Sequence, residues 1–423
     1  MLREYLSRLS RTLVWSFVRP AAAGLNPGVP RTGRSAAGSL AGIVFGGLAL
    51  AACSGLGSGD QLPGGGAPSG APQQQAAIGA GNVRVALILP MSASGNAGIA
   101  AASMRNAAEL ALAEFNNPDI QLLVKDDGGT AQGAQTAAQQ ALAEGAEIIL
   151  GPLFAHSVGA VGQIARSRNV PVIAFSTDAS VASRGVYLLS FLPESDVDRV
   201  VDYAFQSGKR SFAALIPEDA YGSVAEAAFI QAVSRRNGRI VAQQRYSRDA
   251  GRMQQAVQQA SAGMRGADAI FIPDRVEGLR AIVPMITAAG IDTRRAQLLG
   301  TGAWDDSQVF ANPALQGGWY ATVDPAGFRS FANRYRAKYG QEPVRTATLA
   351  YDAVALVAAL AKTQGPQRFA PETLTSASGF TGIDGLFRFR PEGPSQRGLA
   401  VMRVTPSGGQ IIGQPPKAFA PGS

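Results

Sequence analysis

Residues 83–90 read VRVALILP, and residues 101–116 follow as AASMRNAAELALAEFN. The first stretch is an almost unbroken apolar run closed by proline. Such a run suits a strand buried on both faces, as in a parallel sheet covered by helices. In the second, Met104, Ala108, Ala111 and Phe115 recur at three- and four-residue spacing, which places them on one face of a helix. The pair predicts the start of an alternating β/α chain.

The alternation continues outward. A strand over 120–124 breaks at Asp126-Asp127-Gly128-Gly129, and a helix through Ala134, Ala137, Ala141 and Leu142 stops at Gly145, as a C′ glycine would. Strands are expected over 148–150, 170–175 and 186–191. After Pro193 a new cycle begins, with Ser195 and Asp198 spaced as a capping box at the head of a helix through Val200, Val201 and Ala204. Strands over 212–216, 240–246, 269–273 and 297–300 follow, each after a helical stretch. Helices near 328–339 and 346–362 precede an expected hairpin of 385–390 with 398–405, turning at Pro391-Glu392-Gly393-Pro394. The economical reading is an α/β fold of two doubly wound parallel-sheet lobes.

Composition supports a packed protein and removes most catalytic chemistry. The 423 residues are 46% apolar and 16% charged, with one Cys and one His. One Cys excludes an intramolecular disulfide, and one Cys with one His cannot make a four-ligand zinc site of the usual kind. A serine triad would have to use His156. It adjoins Ser157, and adjacent residues rarely present their side chains to each other, while Ala155 to Gly159 lacks the first glycine of a nucleophile elbow. Asp126-Asp127 and Asp305-Asp306 read as turn residues beside Gly or Ser. No GxxxxGK[ST] phosphate loop occurs. Nothing brings a general acid, a nucleophile and an orienting partner together, so no enzyme, no cofactor and no metal are expected. Trp304, Trp319 and Tyr320 read as packing residues.

The formal charge of +8 is concentrated at the start of the chain. Residues 1–52 carry six Arg against one Glu, leaving a net +3 for the rest. That is not the clustered basic footprint of nucleic-acid binding. Within this segment, LAGIVFGGLALAA (40–52) is an uncharged apolar run after Arg31 and Arg34. It is shorter than the roughly 20 residues a membrane span needs and suits a signal-peptide core. It ends in Leu50-Ala51-Ala52-Cys53, which resembles the bacterial lipobox at every position; that resemblance implies a diacylated Cys53, a mature N-terminus there and a membrane anchor. Ser54, where aspartate would signal inner-membrane retention, points to the outer membrane. Residues 54–82 hold 19 Gly, Pro, Ser or Gln among 29, a tether with a reach of roughly 30 Å.

Four stretches resemble the type I periplasmic binding proteins of the leucine-binding class: LILPMSASGNAG (87–98), ILGPLFAHSV (149–158), VPVIAFSTD (170–178) and ALIPEDAYGSVAEAAF (214–229). YDAVALVAAL (351–360) and GIDGLFRF (382–389) fit the same pattern. The resemblance implies two lobes over about 83–413, joined by three crossovers around a cleft, with a tail at 414–423. Lobe 1 would take about 83–193 and 324–384, and lobe 2 about 194–323 and 385–413. Ligand contacts would come from loops at strand carboxyl ends: Ser92, Ser94, Ser157, Ser176, Thr177 and Asp178 on one side, Tyr221 and Arg275 on the other.

Residue by residue, the amino-acid box of that class is eroded. Its first carboxylate-binding serine falls on Ala155, its second hydroxyl on Asp178, its lobe-2 aromatic near Arg275 and its ammonium-binding glutamate near Gly302. Tyr221 alone stays in pattern. Leu-Pro-Met-Ser at 89–92, Gly-Pro-Leu at 151–153 and the anchor resemble the penicillin-binding-protein-activator lipoproteins, which implies a periplasmic regulator whose partner is a peptidoglycan synthase. The other expectation is a receptor delivering an amino acid or related small solute to an ABC permease.

Overall fold

The computed structural model describes residues 77–419; the expected signal segment, Cys53 and nearly all of the tether lie outside them. The chain opens with β1 (Val83–Leu89), α1 (Asn96–Glu114), β2 (Ile120–Asp126), α2 (Ala131–Ala143), β3 (Ile148–Leu150), α3 (Ala155–Arg166), β4 (Val172–Ala174) and β5 (Val186–Leu188). These strands form one parallel sheet in the order β2-β1-β3-β4-β5. Every residue of β1 except Arg84 is buried, as its apolar run requires. Leu87 and Leu89 face α1, while Ala86 and Ile88 face α2 and α3. Gly145 follows α2 with φ +83°, the expected glycine stop.

The second half runs α4 (Pro193–Gln206), β6 (Ser211–Pro217), α5 (Ala220–Arg235), β7 (Arg239–Tyr246), α6 (Ala250–Arg265), β8 (Ala269–Phe271), α7 (Val276–Ala288), β9 (Gln297–Gly300), the short α8 (Ser307–Phe310) and β10 (Trp319–Thr322). The chain then returns through α9 (Pro325–Tyr339) and α10 (Ala347–Thr363), followed by the one-turn α11 (Pro371–Leu374) and strands β11 (Phe380–Gly382), β12 (Gly385–Phe389), β13 (Ser395–Arg397), β14 (Ala400–Thr405) and β15 (Gly408–Gly413). The second sheet has the order β15-β14-β10-β9-β8-β6-β7, parallel from β10 to β7 and antiparallel through β14 and β15. Side-chain caps start three of its helices: Asp219 accepts from the Gly222 amide, Asp249 from Arg252 and Asp306 from Gln308.

Three expectations need correction. The helix after the first crossover begins at Pro193, and Ser195 and Asp198 lie inside it. Proline at the first helical position supplies the preset φ, so no capping box is used there. The hairpin turns where expected, but its second strand is β13, not 398–405. β14 departs to pair with β10 and β15. Consequently 385–397 belongs with the first lobe: Phe387 and Phe389 sit in its core beside Leu87, Tyr187 and Leu349. A bridge from Leu188 to Pro394 fixes the small β11-β12-β13 sheet to β5. The third handover therefore falls at 398–399, where Leu399 and Ala400 enter the cores of the second sheet.

Candidate functional site

Parallel strands end together, so the loops after them gather at one edge of each sheet. On the first lobe these loops carry Ser92, Ser94, Phe154, Ser176, Thr177 and Asp178, with His156 in the helix start just after one of them. The loop after β3 must pass close to β1: a Cβ at Gly151 would lie 2.1 Å from the Ile88 carbonyl oxygen, so only glycine fits. His156 Nε2 lies 3.0 Å from the Gly129 carbonyl oxygen, and its ring stacks with Phe154 at 5.7 Å. This holds the imidazole to a neighbouring loop.

The candidates are unequally placed. Ser92 and Ser94 are exposed at the start of the loop after β1, where the Ser92 amide donates to Asp126 at 3.2 Å. Thr177 and Asp178 are exposed, and Asp178 accepts from both the amide and the hydroxyl of Ser180 at 2.9 and 2.6 Å. Ser176 is buried and accepts from the Asp178 amide at 3.1 Å. Ser157 is 0% exposed and donates to the Thr130 carbonyl at 3.4 Å. It lies in the first turn of α3, which packs on α2, so its hydroxyl is committed inside the first lobe. Asp127, read as a turn residue, is also fully buried; burial pushes its carboxyl above the ordinary range, and Gly129 donates to it at 2.8 Å.

On the second lobe, Tyr221 and Thr301 join their hydroxyls at 2.7 Å, and Thr301 is fully buried. Burial, with Asp196 nearby, drives the Tyr221 phenol well above its usual value, so it stays neutral. The Arg275 guanidinium lies over the Tyr221 ring, 5.9 Å from its centre. Beside it, Asp274 is 1% exposed and takes two bonds from Arg248 at 2.8 and 2.7 Å and one from the Tyr246 hydroxyl. Trp304 and Tyr320 are fully buried and Trp319 is partly buried, as packing residues should be.

The crossovers hold a charged cluster that sequence reasoning did not single out. The Phe191 ring meets two guanidinium groups, Arg345 at 4.4 Å and Arg397 at 4.8 Å from its centre. Arg345 pairs with Asp384 at 2.6 Å. Arg397, buried at the end of β13, donates its Nε to Ser190, while both its Nη atoms lack a hydrogen-bond partner among the described residues. Asp196 accepts from the Gly302 amide at 2.9 Å, and desolvation pushes its carboxyl up to about 7 even though part of the residue stays accessible. Glu194 is raised by burial and by the nearby Asp178. The signal in the sequence was weak: acids and arginines beside helix starts look like ordinary surface charges until the crossovers bring them together. Among the described residues no group of three His, Cys, Asp or Glu side chains is placed to hold a metal. No described helix is long and apolar enough to cross a membrane.

Two parallel-sheet lobes, three crossovers and loops gathered at the strand carboxyl ends define a two-lobed solute-binding architecture. The chain belongs to the periplasmic binding protein family, whose model matches residues 82–410. Members of that family bind rather than catalyse, which agrees with the absence of assembled catalytic groups in the sequence. Among solved structures, a putative branched-chain amino acid ABC transporter protein from Rhodospirillum rubrum shares 20% identity over 78% of this chain and 99% of its own, with a TM-score of 0.68. A periplasmic ligand-binding protein of a branched-chain amino acid ABC transporter from Burkholderia xenovorans shares 21%, over 80% and 97%, at 0.62. A solute-binding protein of an ABC transporter from Rhodopseudomonas palustris, in complex with 3,4-dihydroxybenzoic acid, shares 20%, over 80% and 99%, at 0.56. At these identities the likeness is one of fold. No curated protein matches the sequence.

Proposed function

We propose that the chain is the periplasmic solute receptor of an ABC transporter, binding an amino acid or related small solute between its lobes. One observation carries the reading: the family match extends from residue 82 to residue 410, a span that takes in both lobes and all three crossovers. The solved structures named for branched-chain amino acid transport have the same two-lobed build, and they support transport over regulation. The solute would lie among Ser92, Ser94, Thr177 and Asp178 on one side and Tyr221 and Arg275 on the other. Diacylation of Cys53 would keep the receptor at a membrane surface, with residues 54–82 as its tether. The regulator of a peptidoglycan synthase rests on the short LPMS and GPL stretches and the anchor, and no comparison adds to it.

The test is thermal unfolding of the chain with Cys53→Ser against a panel of amino acids and small carboxylic acids. A solute at 100 times its Kd stabilises by about 2.7 kcal/mol, which moves the midpoint by several degrees. No shift from any member, together with capture of a peptidoglycan synthase, would replace the receptor by the regulator.

A further inference from the structure

We propose that Arg275 selects solutes carrying a carboxylate and receives that carboxylate on the second lobe. This rests on the receptor reading and deepens it.

Arg275 follows β8 directly before α7, at the carboxyl edge of the second sheet. Its side chain is exposed and makes no ion pair or hydrogen bond with the described residues. Among the described residues its side chain meets the face of Tyr221. That face is held in place, because the Tyr221 hydroxyl is bonded to the buried Thr301. The adjacent acid cannot neutralise the guanidinium. Asp274 is already committed to Arg248 and Tyr246, and the turn is built around that pair: a Cβ at Gly278 would lie 1.8 Å from its Oδ2. Arg248, the other nearby cation, is thus compensated, whereas Arg275 is not.

An arginine stacked on a ring keeps its N–H fork free, and that planar fork matches a carboxylate with two parallel bonds. Charge on the opposite side enforces the direction. Asp178, on the first lobe, is exposed after β4. A solute carboxylate is repelled there and attracted across to Arg275. A solute ammonium, where one exists, has the reverse preference.

The experiment is titration calorimetry of the Cys53→Ser chain with leucine, glutamate, succinate, benzoate and 3,4-dihydroxybenzoate, and with the carboxamide of whichever binds. Arg275→Gln and Arg275→Lys are run beside it, with unfolding midpoints to confirm that both fold. The expected result is a carboxylate binder that Arg275→Gln weakens by on the order of tenfold or more, and Arg275→Lys by less. The carboxamide should bind the parent chain weakly and be indifferent to Arg275→Gln. Equal affinity of parent and Arg275→Gln for a bound carboxylate overturns this inference and leaves the receptor intact. Binding of none of the panel overturns this inference, and together with capture of a peptidoglycan synthase it removes the receptor reading as well.

Discussion

The Nε of Arg397 donates to the carbonyl oxygen of Ser190 at 2.9 Å, tying the third crossover to the first. From the other lobe, Arg199 donates to the Leu399 carbonyl at 2.9 Å, so the same crossover is held from both sides. The Phe191 ring meets the guanidinium groups of both Arg397 and Arg345. The region where two lobes would swing is therefore a braced joint with specified partners.

Replacing Arg397 with methionine keeps most of the volume and removes the charge. The Ser190 carbonyl loses its donor, and Asp352 and Asp384 lose a nearby cation inside the protein. Removing one side of a buried charged arrangement costs about 3 kcal/mol. Urea unfolding of Arg397→Met should show that loss; an unchanged midpoint would mean the brace contributes nothing.

Asp352 gives the joint a pH dependence. It is 2% exposed, and burial together with the charge of Asp384 pushes its carboxyl up to about 7 from 3.8. Between those values the native chain holds a proton that the unfolded chain has released. The contribution to stability is fully present below about pH 4 and is lost as pH rises through 7. Asp352→Asn keeps an acceptor for the Ile383 amide, now bonded at 2.7 Å, and removes the titration. Between pH 5 and 8 the stability of the parent chain should fall relative to the variant, and parallel pH profiles would refute the assignment.

How much of this was legible in the chain depends on the range of the forces involved. The strand VRVALIL and the stop at Gly145 follow from local patterning, and both stand as read. The hairpin partner of β12 did not, because β13 and β14 are separated by only two residues and pair with different sheets. Only long-range packing of Phe387 and Phe389 decides which lobe owns them. The site divides the same way. Tyr221 and Arg275 were visible just after strands, at helix starts, whereas Ser157 looked equivalent and turned out to be buried against Thr130. Arg345, Arg397 and Asp196 lie far apart in sequence, and no spacing rule joins them.

Tyr221 and Thr301 test whether the proposed solute-facing edge of the second lobe is held by one hydrogen bond. Tyr221→Phe leaves the buried Thr301 hydroxyl without its 2.7 Å partner, a loss of about 1–2 kcal/mol. Thr301→Val leaves the phenol unpaired at similar cost. The double variant removes both polar groups, so it should be more stable than the sum of the single losses predicts. Additive losses in a double-mutant cycle would show that the two hydroxyls do not depend on each other.

Gly300 links core packing to the proposed binding site. A Cβ there would lie 2.2 Å from the indole of Trp304, which is fully buried and donates its Nε1 to the Ile272 carbonyl at 3.1 Å. The indole cannot yield without breaking that bond, so Gly300→Ala must shift the strand end or the ring, and overpacking of this kind costs about 1–3 kcal/mol. The displaced segment begins with Thr301 and Gly302, the partners of Tyr221 and Asp196. Solute affinity should therefore fall in Gly300→Ala even at temperatures where the variant is fully folded. Calorimetry well below its melting point separates the two effects: affinity equal to the parent chain would place the strain in the core alone, and weakened binding with a native unfolding enthalpy would place it in the wall that carries Tyr221.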